Sequence, residues 1–334
     1  MKASGRLTRL SAFILTALCF ALPVSAQDKP AVDPDALLSA VVKVRAKIIP
    51  NARSLATLGP QREGSGILIR DGYVLTIGYL VIESETVEVS NAEGKAVPAT
   101  VAGYDHASGF GLLRLVAPLG GKPLALGDSS ALAERDPVMI AAHGGKEGVS
   151  VAYVVSRRPF SGSWEYLLDS AIYTYPPVTN WSGAALISPR GELVGIGSLI
   201  VADAMTPGTQ SPGNMFVPID LLKPILADLM ERGRASGPVR PWLGMNTEEL
   251  RGRLFVSRVS PESPADRAGL RQGDIVIGVG GEEVSSLADF YRKIWARGPA
   301  GIEVPVRILQ GTQVKDVSVK TIDRLEYFRQ KTSY

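Results

Sequence analysis

Gly66-Ile67-Leu68-Ile69-Arg70-Asp71-Gly72-Tyr73-Val74-Leu75-Thr76 sets two short apolar runs on either side of Asp71-Gly72. Asp-Gly between two β-like runs is a strong hairpin signal, because the tight turn that matches strand twist asks for residues tolerant of positive φ. Leu186-Ile187 and Leu193-Val194-Gly195-Ile196 flank Pro189-Arg190-Gly191 in the same way. Many short strands separated by turn residues predict an all-β barrel or sandwich through this part of the chain.

Upstream, residues 27–35, with Pro30 and Pro34, read as a loose leader, and residues 37–49 as a helix running into a strand. Downstream, a helix is expected over residues 221–232. Asp220 would cap it, Pro224 would fall in its first turn, and Leu221, Leu222, Ile225, Leu226, Leu229 and Met230 recur at three- and four-residue intervals. It should stop near Gly233, and Ser236-Gly237-Pro238 reads as a linker, with a boundary near residue 238. The remainder mixes strand-like runs (residues 254–256, 275–279, 304–308 and 314–319) with a short helix at 263–270 and a longer one at 287–296. Pro264 at the start of the short helix and Gly269 at its stop fit helix-terminus preferences. This is the content of one small α+β module.

The chain has 334 residues, 45% hydrophobic and 21% charged, with length for about two globular domains. Lys2, Arg6 and Arg9 precede an apolar run at residues 10–22, and Val24-Ser25-Ala26 offers small residues for cleavage before Gln27. An uncleaved anchor is the competing reading. The run falls short of the roughly 20 residues a span needs, so a cleavable secretory signal over 1–26 is expected. Its removal takes the formal charge of +3 to zero, which leaves no electrostatic case for a nucleic-acid partner or a stable membrane anchor. It also removes Cys19, the single cysteine, so no disulfide is expected, and two histidines without cysteine argue against a zinc site. No cofactor is implied.

Five segments, taken in order, resemble the HtrA (Do-like) family of bacterial envelope proteases. They are Gly64-Ser65-Gly66-Ile67 with its hairpin, Leu126-Gly127-Asp128-Ser129, Ser182-Gly183-Ala184-Ala185-Leu186, Gly191-Glu192-Leu193-Val194-Gly195-Ile196, and Phe216-Val217-Pro218-Ile219. Trp242-Leu243-Gly244-Met245 and the stretch from Ser263 to Val284 are similar to the family's PDZ domain. The resemblance implies a mainly β protein, a trypsin-like double β-barrel followed by a C-terminal α+β PDZ domain. The expected layout is signal peptide 1–26, leader 27–39, protease-like domain 40–235, linker 236–240, PDZ domain 241–325 and tail 326–334.

The resemblance also locates a site and finds it altered. Where the family pattern places its histidine, Thr76-Ile77-Gly78-Tyr79-Leu80 has Tyr79; where it places its aspartate, Ser108-Gly109-Phe110-Gly111 has Gly109. Asn180-Trp181-Ser182-Gly183-Ala184 keeps the nucleophile position as Ser182 but changes both preceding residues, so the oxyanion loop at Asn180 and Trp181 is expected to be perturbed. A serine hydroxyl needs a base with a pKa near the working pH. A phenol titrates near 10, and losing the histidine of a comparable enzyme costs a factor of about 10⁶ in turnover. His106, three residues before Gly109, is the one alternative base, against the reading of an ordinary surface-loop histidine. His143 reads as structural.

A PDZ domain adds a peptide C-terminus as a strand and holds its carboxylate on backbone N–H groups. Leu243, Gly244 and Met245 would supply those donors beside Trp242, with Ile294 in the pocket for the last side chain. The rival is a module that packs on the first domain without a free ligand. The expected partners are peptide C-termini or unfolded envelope proteins. Residues 27–72 contain no aromatic residue on which a family-type trimer would be built, so homo- or hetero-oligomers with HtrA relatives stay open. Thr332-Ser333-Tyr334 resembles a PDZ ligand, against the reading of a frayed terminus. Three functions follow: a non-catalytic peptide-binding factor, an endopeptidase with a rearranged base, and a structural subunit of mixed oligomers.

Overall fold

The computed structural model describes residues 33–328. The signal segment, Cys19 and the last three residues lie outside them.

Six strands close the first barrel: β1 (Val41–Ile48), β2 (Gln61–Arg70), β3 (Tyr73–Ile77), β4 (Ser84–Ser90), β5 (Ala96–Tyr104) and β6 (Phe110–Leu115), in the order β1-β2-β3-β6-β5-β4. Asp71-Gly72 makes the β2–β3 turn as expected, with Gly72 at φ 73°. Along β1 the side chains of Val42, Val44, Ala46 and Ile48 point inward at a spacing of two. A short helix, α1 (Pro34–Ser39), precedes β1, capped by Asp33, whose carboxylate accepts from the N–H groups of Asp35 and Ala36. The leader therefore gives way to helix at Pro34. Helix α2 (Leu55–Leu58) lies in the β1–β2 connection.

The second barrel repeats the plan with β7 (Pro137–Ala141), β8 (Val149–Gly162), β9 (Tyr166–Tyr175), β10 (Ala185–Ile187), β11 (Leu193–Val201) and β12 (Gly213–Pro218), in the order β10-β11-β12-β9-β8-β7. Ile140, Val154, Ile172, Leu186, Val194 and Phe216 fill part of its interior. Strands β8 and β9 form the longest hairpin among the described residues, pairing out to Gly162 opposite Tyr166 and leaving a three-residue turn at 163–165.

The helix expected over 221–232 is shorter than the periodicity implies. A 3-10 turn covers Ile219–Leu221, and α3 runs only Leu226–Arg232 before Gly233 ends it in the left-handed region. Asp220 does not cap it. Its carboxylate accepts instead from Ser129 Oγ at 2.6 Å and Ser130 N at 3.0 Å. Pro224, lacking an N–H and disfavouring helical geometry at residue 223, delays the regular turn.

The last module is a sheet of β13 (Met245–Leu250), β14 (Arg253–Val259), β15 (Ile275–Val279), β17 (Glu303–Gln310) and β18 (Gln313–Lys320), with β16 (Glu282–Glu283) paired to β15. Helices α4 (Pro264–Arg267) and α5 (Leu287–Trp295) start at Ser263 and Ser286, each of which accepts from a backbone N–H of its helix. Phe290 and Ile294 of α5 pack against Met245, Val256, Val276 and Val306. Helix α6 (Arg324–Tyr327) returns to the barrels: Arg324 Nη1 donates to Trp164 O at 3.1 Å, and the Arg53 guanidinium lies 4.8 Å from the Tyr327 ring centre. Among the described residues no helix is long and apolar enough to cross a membrane.

Candidate functional site

At the end of β3 the chain makes a 3-10 turn, Gly78–Leu80, that carries Tyr79 toward the second barrel. Arg62 holds this turn. Its Nη1 donates to Tyr79 O at 2.7 Å and Ile82 O at 3.0 Å, and its Nη2 to Ser54 Oγ at 2.6 Å. Burial pulls the Arg62 guanidinium down to about 10, still fully charged at neutral pH.

Tyr79 Oη lies 2.8 Å from Ser182 Oγ and 2.9 Å from Ser198 O. A carbonyl only accepts, so with one phenol proton the two contacts are satisfied together when Tyr79 donates to Ser198 O and Ser182 donates to Tyr79 Oη. Burial pushes the Tyr79 phenol up to about 12, against the opposite pull of its hydrogen bonds at Ser182 and Trp181. About one phenol in 10⁵ is then ionised at pH 7. The group beside Ser182 orders its hydroxyl and is a very poor proton acceptor.

Gly109 sits at φ +83°, and a Cβ placed there would lie 3.2 Å from Tyr166 Oη. Tyr166, the first residue of β9, donates that hydroxyl to Ser108 O at 2.5 Å. Asp105 is committed to the same loop, accepting from Ser108 N at 2.8 Å and Ser108 Oγ at 2.5 Å. The space beyond Gly109 is thus closed by a phenol, and the nearest carboxylate on this segment is engaged in its own turn.

The structure does not bring His106 to Ser182. The ring is buried, edge-on to Tyr104 at 4.3 Å and stacked on Phe328 at 5.7 Å, and neither nitrogen has a hydrogen-bond partner among the described residues. Burial, reinforced by Arg324 and Arg234, holds it well below the usual histidine range. Among the described residues no hydrogen bond joins His106 to Ser182, and the ring packs on the aromatic faces of Tyr104 and Phe328. His143 is tied to Ser65: its backbone N–H donates to Ser65 Oγ at 2.9 Å, and its Nδ1 lies 3.0 Å from the same oxygen.

The serine loop is tied to the opening hairpin. Ser65 N donates to Ser182 O at 2.8 Å, Ala184 N to Trp181 O at 3.0 Å and Gly183 N to Gly197 O at 2.9 Å. The left-handed residue of the loop is Gly183; Asn180 is exposed and keeps an ordinary φ. The residue change at 180 therefore carries no backbone strain. Trp181, Tyr79, Tyr166, Trp164, Trp242 and Tyr327 line an apolar cavity of about 450 Å³ between the cleft and the C-terminal module.

The three amides expected to receive a peptide carboxylate are engaged. Leu243 N donates to Glu165 Oε2 at 2.9 Å, and Gly244 N and Met245 N donate to Glu165 Oε1 at 2.7 and 3.2 Å. Gly244, at φ +89°, brings the loop so close to Ser263 that a Cβ would stand 2.2 Å from the serine Cβ. Glu165 belongs to the β8–β9 turn and is itself left-handed, at φ 58°. Burial pushes its carboxyl up to about 7, while the three amides and Arg324 favour the charged form. Trp242 is buried against Tyr327, ring centres 4.7 Å apart, and Ile294 is buried in the module's core. Glu165 is the site residue that sequence reasoning missed. A glutamate in Gly162-Ser163-Trp164-Glu165 reads as an ordinary polar turn residue, and nothing local marks it as a ligand.

Comparison with known proteins agrees with this architecture. A family profile described as "Trypsin-like peptidase domain" matches residues 64–196, and one described as "PDZ domain" matches 241–321. The chain is 29% identical over 275 residues to a probable periplasmic serine protease do/HhoA-like of Haemophilus influenzae, covering 77% of this chain and 57% of that relative. It is 28% identical over 264 residues to the periplasmic serine endoprotease DegP of Salmonella typhimurium, covering 74% and 54%. Serine protease PepD of Mycobacterium tuberculosis is 30% identical over 304 residues, covering 83% and 65%. The chain thus spans little more than half the length of the first of these relatives. Among solved structures, the HtrA-type protease AlgW with decapeptide superposes with a TM-score of 0.53 at 18% identity, over 89% of this chain and 99% of that one, a likeness of fold. A trypsin-like peptidase domain followed by one PDZ domain, with HtrA-type relatives by sequence and by fold, makes this chain a member of the HtrA/Do-like family.

Proposed function

We propose that this protein is a proteolytically inactive HtrA homologue of the cell envelope, which binds peptides or unfolded proteins through its PDZ groove and cleft. One observation carries the reading: the group within hydrogen-bond distance of Ser182 Oγ, at 2.8 Å, is the Tyr79 phenol, which its surroundings push up to about 12, and not an imidazole. In this reading Ser182 is a vestigial nucleophile, and Tyr79 and Gly109 occupy the former base and acid positions. Asn180 and Trp181 are what remains of the oxyanion loop. The Tyr166 hydroxyl beside Gly109 supports it further, because the room an acid would need has been taken. The rival reading, an endopeptidase using His106, gains no support from a neutral ring packed between Tyr104 and Phe328. Placement in the periplasm follows the relatives whose names carry that word.

The test is incubation of the purified protein with a fluorophosphonate probe and, separately, with unfolded casein. No labelling and no cleavage are expected. Labelling or cleavage that disappears in Ser182→Ala would overturn the reading. Recovery of active HtrA relatives on co-purification from the native host would show that the protein also works in mixed oligomers.

A further inference from the structure

The β8–β9 turn meets the C-terminal module at several points, and together they trace the outline of a bound chain end. Ser163 O accepts from Thr247 N on β13 at 2.9 Å, as an added strand would. The Glu165 carboxylate takes the three amides of residues 243–245. Leu167, two residues on, is buried in the module's own apolar cluster with Leu243, Met245, Leu287 and Ile294. From the α5 side, Tyr291 Oη donates to Gly162 O at 2.8 Å. Strand pairing, carboxylate capture and an apolar side chain in the pocket are the three elements by which a PDZ groove recognises a C-terminus.

We propose that the turn at residues 162–165 is an internal ligand of the PDZ groove. Its external partner is then a chain end with a free carboxylate and an apolar last residue, which binds by displacing Glu165 and Leu167. The inference rests on the reading of the groove as a peptide site and adds how that site is held and what opens it. Both ligands need the same three amides, so they exclude one another. The internal one is displaceable on physical grounds. Glu165 holds a left-handed backbone, at φ 58°, which is unfavourable for a non-glycine residue. It also reaches the amides on a flexible side chain, whereas a chain end presents its carboxylate on the main chain. Displacement would be felt in the cleft: Trp164 stacks on Tyr166 at 5.7 Å, and the Tyr166 hydroxyl is bonded to Ser108 O beside Gly109.

The experiment uses the full chain and a decapeptide library with free carboxylates, varied at the last three positions. The best binder of Glu165→Ala is then measured by fluorescence polarisation on the wild type, Glu165→Ala and the isosteric Glu165→Gln, with its C-terminal amide as control. If the groove is at least 90% self-occupied, affinity for the carboxylate peptide is at least about tenfold weaker in the wild type than in Glu165→Ala, because only the open fraction binds. Glu165→Gln falls between them, and the amide binds none. Hydrogen exchange on the wild type alone gives the second readout: saturating peptide should speed exchange at residues 162–167. Equal affinities in wild type and Glu165→Ala, or tight binding without faster exchange at 162–167, would overturn self-occupancy and leave peptide binding standing. No library member binding any of the three proteins would overturn the peptide-binding reading itself, and the proposal with it.

Discussion

Gly109→Asp, which under the proposed reading would return an acid to the cleft, should destabilise the protein, and Tyr166 should account for much of the loss. Two terms contribute. The residue sits at φ +83°, where a side chain costs about 1–2 kcal/mol. The new Cβ then meets Tyr166 Oη at 3.2 Å, inside ordinary contact distance, with the carboxylate still to be placed beyond it. Overpacking of this kind costs about 1–3 kcal/mol. In a Tyr166→Phe background the hydroxyl is gone, and the backbone term alone should remain. The hydrogen bond from Tyr166 to Ser108 O, worth about 1 kcal/mol, is lost in both arms of the cycle and cancels. A double-mutant cycle by urea denaturation should therefore give a coupling of about 1 kcal/mol or more between positions 109 and 166. Casein cleavage by Tyr79→His/Gly109→Asp should stay at background while Tyr166 is present. A Gly109→Asp variant as stable as the wild type, or a zero coupling, would refute the steric argument. Cleavage by Tyr79→His alone would refute the claim that the acid's place matters.

Tyr79→Phe should cost about 1–3 kcal/mol, because Ser198 O and Ser182 Oγ both lose their partner, whereas Ser182→Ala should cost less, since Tyr79 keeps Ser198 O; thermal denaturation of the two variants separates these outcomes. His106 is depressed in the folded state, so the unfolded chain takes up its proton first, and stability should fall as pH drops below about 6.5. His106→Phe should flatten that part of the wild-type stability profile, and an unchanged acid slope would refute the assignment. Glu165 is raised to about 7 in the docked turn, so docking is strongest below the ordinary carboxyl range and weakens as pH rises toward 7, then levels. The groups facing it are the Arg324 guanidinium and Tyr291, whose phenol is pushed by burial well above its ordinary range. Amide exchange at residues 243–247 should quicken between pH 5 and pH 7.5 after correction for intrinsic rates, and Glu165→Gln should remove the change.

The two hairpin turns at Asp71-Gly72 and Pro189-Arg190-Gly191 were legible because turn chemistry is local: the residues that need positive φ announce themselves. The short helix at 263–270 was legible for the same reason, with Pro264 at its start and Gly269 at its stop. The helix at 221–232 was misjudged in length because Asp220 had a distant use, as partner of Ser129 and Ser130, that no local pattern records. His106 was misplaced likewise, since its burial depends on Tyr104 and on Phe328, which is 222 positions further along the chain.

By itself the sequence determined the residue types at the cleft: a serine at 182, a phenol at 79 and no side chain at 109. In the proposed reading those identities limit the chemistry, because a phenol is a poor base near neutral pH and a glycine carries no acid. Only the tertiary structure decided what fills the space they leave. Tyr166 closes the side of Gly109, Tyr79 reaches both Ser182 and Ser198, and Glu165 lies on the three amides 78 to 80 residues away in the chain. Such pairings arise from how two barrels and a third module pack, and packing is a property of surfaces brought together, with no signature in the neighbouring residues of either partner.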